Sequence, residues 1–101
     1  MAEVIWTESA LNALDEIGDY IALDNYDAAC RLIRRVFDKV DLLQEIPELG
    51  SVPRDLRNTP YRRLIIKPVN VYYRTEADKV VIIFVERGER DFRLSRITEC
   101  K

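Results

Sequence analysis

What this chain could do chemically rests on arginine and tyrosine, because its 101 residues contain no histidine. That removes the commonest general base near neutral pH and the commonest zinc ligand. Cys30 and Cys100 lie far apart, lack metal-ligand spacing, and have no histidine with which to form a nucleophilic pair. Three glycines in total cannot build a phosphate-cradling loop. No metal or cofactor is therefore expected. Asp15, Glu16 and Asp19 cluster within one helical stretch, where a solvated helix face explains them. Tyr72 and Tyr73 are neighbours in a β-prone run, so one should pack in the core and the other stand on the sheet surface. As acids they start from a pKa near 10 and would need strong perturbation. What remains is cationic: Arg62, Arg63, Lys67, Arg74, Arg87, Arg90 and Arg93. Guanidinium forks suit carboxylates and phosphates. A cluster of them could bind phosphates, stabilise transition-state charge or hold an acidic peptide. The residue types alone do not choose among these.

The elements that must carry these residues follow from hydrophobic period. Glu3 to Trp6 is a short β-prone run and predicts a first strand. Thr7 is a plausible N-cap, and Leu11, Leu14, Ile17 and Ile21 then recur at helical spacing. Gly18 inside that pattern costs about 1 kcal/mol relative to alanine, which a close crossing of a second helix would explain. Asp24-Asn25 signals a turn and cap. The second helix buries a stripe of Ala29, Leu32, Val36, Val40 and Leu43, widened by Ile33 and Phe37, and ends at Pro47 and Gly50. The short connection predicts an antiparallel helical hairpin. Residues 47–60 read as a loop, punctuated by Pro53 and Pro60.

After Pro60 the period changes to that of strands. The runs 61–67, 69–75 and 79–86 are rich in β-branched and aromatic residues, broken at Lys67-Pro68 and at Glu76-Ala77-Asp78. Val80 to Val85 is apolar on both faces and predicts a central strand, covered on one side by the helices. These connections are too short for parallel crossovers, so the expected fold is α+β. It is a two-helix hairpin on a mostly antiparallel sheet of three or four strands, in the order β-α-α-β-β-β. Antiparallel pairing should bring several of the arginines together at strand ends.

Composition agrees with a single folded domain over residues 1–101. The apolar class makes up 48% and charged residues 34%, a mixture that argues against disorder. No apolar run reaches the roughly eighteen residues a membrane span needs, and the N-terminus has no secretory pattern. With two distant cysteines, a reducing cytoplasmic setting is expected. The net charge of −2 hides an asymmetry. Residues 1–53 carry eleven acidic and four basic groups, whereas 54–101 carry seven acidic and twelve basic, mostly arginine. The second half thus offers a cationic surface to an acidic protein or a nucleic acid.

Taken in order, these segments resemble a known group. Val4-Ile5-Trp6-Thr7 with Ala10, Leu14, Ile17 and Tyr20-Ile21 is similar to the start of ParE-like toxins of the RelE/ParE superfamily. So are Ala28-Ala29, Leu43 and Ile46-Pro47-Glu48-Leu49-Gly50 behind it. Tyr61-Arg62-Arg63-Leu64, Val71-Tyr72-Tyr73-Arg74 and Arg87-Gly88-Glu89-Arg90-Asp91 complete the likeness, which spans almost the whole chain. The resemblance implies the toxin of a type II toxin–antitoxin pair, neutralised by an antitoxin whose acidic, amphipathic C-terminal segment wraps the toxin in a hetero-oligomer. ParE-like members poison DNA gyrase, and RelE-like members cut messenger RNA on the ribosome. For the ribonuclease, Arg62 and Arg90 fill two of the expected basic places, with Tyr72 or Tyr73 to assist proton transfer. Leu64 and Asn70 stand where further basic residues belong, and no tyrosine follows Tyr73. The likeness therefore leans to a gyrase inhibitor without catalysis of its own, using Arg62, Arg63, Arg87 and Arg90 for contacts. A ribonuclease, or a non-toxic plasmid-stability remnant that only binds antitoxin, are the alternatives.

Overall fold

A computed structural model of the protein describes residues 1–88. Strand β1 (Glu3–Trp6) leads into helix α1 (Glu8–Ala22), and helix α2 (Tyr26–Asp41) returns beside it. Strands β2 (Tyr61–Ile66), β3 (Val69–Glu76) and β4 (Lys79–Arg87) follow. The sheet order is β1-β4-β3-β2, so β4 is internal, as its apolar run predicts. The pairs β2–β3 and β3–β4 are antiparallel, and β1 lies parallel to β4. The β-α-α-β-β-β order and α+β class are those expected.

Local chemistry accounts for the helix boundaries. The Thr7 side chain accepts a hydrogen bond from Ala10 N at 3.1 Å, and its hydroxyl donates to Ile82 O at 2.8 Å, so one residue caps α1 and ties it to β4. Asn25 Oδ1 accepts from Ala28 N at 3.0 Å and caps α2. α2 ends at Asp41, earlier than Pro47 and Gly50 suggest, and a 3₁₀ turn (Leu42–Gln44) carries Leu43 into the core. Between Pro47 and Pro60 the chain is not wholly irregular. It makes a second 3₁₀ turn (Arg54–Leu56), and Ser51 bridges Arg63 on the outer edge of β2.

The core lies between the hairpin and one sheet face. Ala10 and Leu14 meet Leu32, Val36, Val40 and Leu43 over Leu64, Val71, Tyr73, Val80, Ile82 and Val85. The α1 stripe is rotated by one residue from expectation: Ala10 is fully buried and Leu11 is exposed. Ala10 is one helical repeat before Leu14 and Ile17, and its small side chain lets α1 sit close on β4. Gly18 marks the helix crossing, since a Cβ there would lie 3.0 Å from Ile33 Cδ1. Trp6 and Phe37 close one flank, with ring centroids 4.8 Å apart.

A register shift in the β3–β4 ladder breaks the strict alternation of β4. Tyr72 pairs with Phe84 and Tyr73 with Ile82, leaving Ile83 as the extra residue. The bulge lets Ile82 and Val85 both face the core, which strict alternation forbids, and sends Phe84 to the open face.

Two ends of the molecule can be distinguished. Ala2 N donates to Gln44 O and Glu3 N to Asp78 O, both at 2.8 Å, gathering the start of β1, the end of α2 and the β3–β4 turn. At the other end Gly88 N donates to Pro68 O at 2.9 Å, joining the end of β4 to the β2–β3 turn. The Arg87 guanidinium lies 4.9 Å from the Tyr20 ring centroid, which brings the hairpin tip to that end.

Candidate functional site

Directly opposed residues of an antiparallel ladder share a face, so the register sorts the basic residues. Arg63 opposes Tyr72, and Arg74 opposes Tyr61, on the face turned away from the helices. Arg62 opposes the core residue Tyr73 and belongs to the helix side. Arg87 is on the helix side too, opposite Val69. Tyr73 also pairs with Ile82, five residues before Arg87 on β4, a separation of about 16 Å along a strand. Among the described residues Arg63 and Arg74 share the open face, whereas Arg62 and Arg87 lie on the helix side and far apart, so these four do not gather in one place. The cause is β-alternation together with the strand register, and only the alternation is legible in the sequence. Lys67 is exposed in the β2–β3 turn at Arg87's end, and its carbonyl accepts a hydrogen bond from Arg35 of α2. Arg90 and Arg93 lie outside the described residues.

Arg62 is engaged in holding a loop. Its guanidinium donates to Gly50 O at 2.8 Å and to Glu48 O at 3.4 Å. Tyr73 holds the same loop: its hydroxyl accepts from Gly50 N and donates to Pro47 O, both at 2.8 Å. Burial raises the Tyr73 pKa above the usual phenol value, against the Gly50 amide and the Arg62 charge, which lower it. Tyr73 is thus a protonated hydrogen-bond donor locked in the core, not a base.

On the open face, Tyr72 donates to Glu86 Oε2 at 2.7 Å. Burial raises its pKa first, the Glu86 carboxylate adds to this, and Arg63 opposes it. Arg63 Nε is buried without a hydrogen-bond partner. Arg74 forms an ion pair with Glu76. Arg63, Tyr72 and Glu86 therefore span three strands as a charge-balanced polar strip, edged by exposed Ile65 and Phe84. Among the described residues no group of three or more His, Cys, Asp or Glu side chains could hold a metal ion.

A second surface escaped the sequence. Between α1 and α2 runs a groove of about 380 Å³, with small residues Gly18, Ala22, Ala29 and Cys30 along it and Asp15, Asp19, Tyr26 and Arg34 at its sides. At the hairpin tip Tyr20, Leu23 and Tyr26 are exposed, Leu23 by 86%. The four basic residues of the first 53 positions, Arg31, Arg34, Arg35 and Lys39, all lie on α2. Small residues four apart, as Gly18 and Ala22 are, could have signalled the groove.

The sequence profile of the ParE toxin of the type II toxin–antitoxin system parDE matches residues 4–92. The chain belongs to the ParE toxin family. Y4kP of Sinorhizobium fredii is 39% identical over 77 residues, 76% of this chain and 79% of that one. Toxin RelE2 of Caulobacter vibrioides is 37% identical over 83 residues, 82% and 90% of the two chains. A chain of the chromosomal ParDE system from P. aeruginosa shares the fold, with a TM-score of 0.71 and 24% identity over 86% of this chain and 96% of that one. This ParE family member is a toxin of the RelE/ParE superfamily and of the type II toxin–antitoxin class. Its Ile46–Gly50 segment, part of the resemblance, is the loop that Arg62 and Tyr73 fasten to the sheet.

Proposed function

We propose that this ParE family toxin acts by protein binding, with DNA gyrase as its target and a cognate antitoxin as its neutralising partner. One observation carries the first half. Arg62, Tyr72 and Tyr73, three of the four groups that the ribonuclease reading needs beside Arg90, are already engaged in hydrogen bonds within the protein. That supports a surface role for Arg63, Lys67, Arg74, Arg87, Arg90 and Arg93 toward target or antitoxin, with catalysis assigned to none. The hairpin groove and its exposed tip support the second half. An acidic, amphipathic antitoxin segment would bury Leu23 and Tyr26 and meet the basic outer positions of α2. Residues 1–101 act in this reading as one cytoplasmic domain that forms a hetero-oligomer with the antitoxin. No described helix is long and apolar enough to cross a membrane.

Gyrase supercoiling and cleavage-complex assays with antitoxin-free protein test the target. Inhibition is expected, and unchanged supercoiling at high molar excess would remove gyrase. The RelE-type ribonuclease reading predicts toxin-dependent cuts in ribosome-bound message by primer extension. Replacing both Arg87 and Arg90 by glutamate should weaken target binding or neutralisation, and unchanged behaviour in both would exclude these arginines. A chain that leaves growth unaffected on induction would be the antitoxin-binding remnant.

A further inference from the structure

The molecule exposes an apolar patch at the end opposite the hairpin tip. Leu42, Ile46 and Leu49 are 46%, 50% and 38% exposed. They are neighbours in space, because Ile46 N donates to Leu42 O at 2.9 Å and Leu49 N to Ile46 O at 3.1 Å. These three side chains lie outside the core, which takes only Leu43 from this segment, yet the segment is firmly held. Tyr73 bonds it at Pro47 and Gly50, and Arg62 binds the carbonyls of Glu48 and Gly50. A fastened loop with outward apolar side chains is preorganised for docking, since little ordering entropy remains to be lost on contact. Its rim is acidic. Asp41, Glu45 and Glu48 are exposed, and none of the three is in an ion pair among the described residues. The C-terminus of α2 adds partial negative charge at the same place.

We infer that this Asp41–Leu49 surface docks a basic, apolar-flanked segment of the toxin's target protein. The inference rests on the toxin reading above and deepens it. The acidic rim disfavours the acidic antitoxin segment, whose charge suits the basic outer positions of α2 and the end bearing Lys67 and Arg87. The two partners thus use separate surfaces, at opposite ends of the helical hairpin.

Induced expression in an antitoxin-free bacterial host tests this, with growth arrest as the readout and thermal unfolding and light-scattering mass as controls. The variants are E45K/E48K, E45Q/E48Q and I46S/L49S. Reversing the two charges should raise the inducer dose for half-maximal arrest about tenfold, with the glutamine pair intermediate, as loss of rim complementarity requires. Unfolding temperature and mass should match the wild type. The charge variants touch no core contact, so they decide the matter if I46S/L49S is unstable. Wild-type arrest with equal arrest by E45K/E48K would overturn the surface and leave the toxin reading intact. A wild-type dimer that E45K/E48K dissociates would show the patch joins two copies, which also overturns the proposal. A wild type that never arrests growth would remove the toxin reading and this surface with it.

Discussion

Tyr73 and Gly50 fix each other: the phenol oxygen accepts the Gly50 amide proton at 2.8 Å, and a Cβ on Gly50 would stand 2.7 Å from that oxygen. It would also stand 2.9 Å from the backbone oxygen of Arg63, so the side chain cannot simply swing aside. Tyr73→Phe leaves the Gly50 N–H and the Pro47 carbonyl without their partner. The expected loss is about 1–3 kcal/mol, the cost of stranding a buried polar group. Gly50→Ala should lose a similar amount, about 1–3 kcal/mol, by overpacking. Urea unfolding checks both. A Tyr73→Phe midpoint equal to wild type would mean that Arg62 and the Ser51–Arg63 bridge hold the loop without the phenol.

The same phenols set an alkaline limit to stability. Tyr72 and Tyr73 have pKa values raised in the folded state, by burial first in each case. A raised native pKa means the native state binds the proton more tightly than the unfolded chain. Their contribution is therefore fully present below the unfolded value near 10, and it is lost as pH rises through the folded values. Unfolding midpoints should be flat with respect to these groups at neutral pH and fall above about pH 10. Tyr73→Phe should make that alkaline fall shallower. Identical alkaline profiles for the two proteins would show that Tyr73 does not carry the effect.

How far the sequence foretold this depended on the range of the physics involved. Thr7 and Asn25 act through their own helix turns, so their caps could be read locally, and the three C-terminal strands followed from β-branched runs between turn signals. Gly18 pointed to the helix crossing because a mid-helix glycine needs a reason. The Arg62 contact with the Pro47–Gly50 loop joins segments distant in sequence, and nothing in the local pattern distinguishes it from surface-exposed Lys67. Likewise the Ile83 bulge depends on how β3 and β4 align, and it decides which β4 side chains join Tyr73 in the core. The groove was invisible for a different reason: it is defined by what small side chains leave unfilled, whereas periodicity reports what is filled.

The β3–β4 turn offers a stabilising change. Glu76 pairs with Lys79 across the two-residue loop Ala77-Asp78, and Ala77 has a φ of 50° while Asp78 is not in the positive region. A positive φ at the first central position is where glycine is favoured in a tight hairpin. For alanine that conformation costs about 1–2 kcal/mol. Ala77→Gly removes this strain but gives the unfolded chain more freedom, so the net gain should be about 0.5–1 kcal/mol. For a domain of this size, 1 kcal/mol corresponds to about 4–8 °C in melting temperature, which calorimetry resolves. A lowered melting temperature would show that the turn is unstrained.

Leu23 tests the hairpin tip as an antitoxin surface. It is 86% exposed and forms no part of the core cluster, so Leu23→Asp should leave stability within about 0.5 kcal/mol of wild type. Its location at the end of the α1–α2 groove, near exposed Tyr20 and Tyr26, gives it large apolar area to bury against a partner. An aspartate there would both remove that area and repel an acidic segment. Affinity for the cognate antitoxin, measured by calorimetric titration, should fall at least about tenfold, or 1.4 kcal/mol, with little change in growth arrest by the unneutralised toxin. Because Asp41–Leu49 lies at the far end, E45K/E48K should show the reverse pattern, with antitoxin affinity kept and arrest weakened. Loss of both properties in either variant would show that the two surfaces do not work separately.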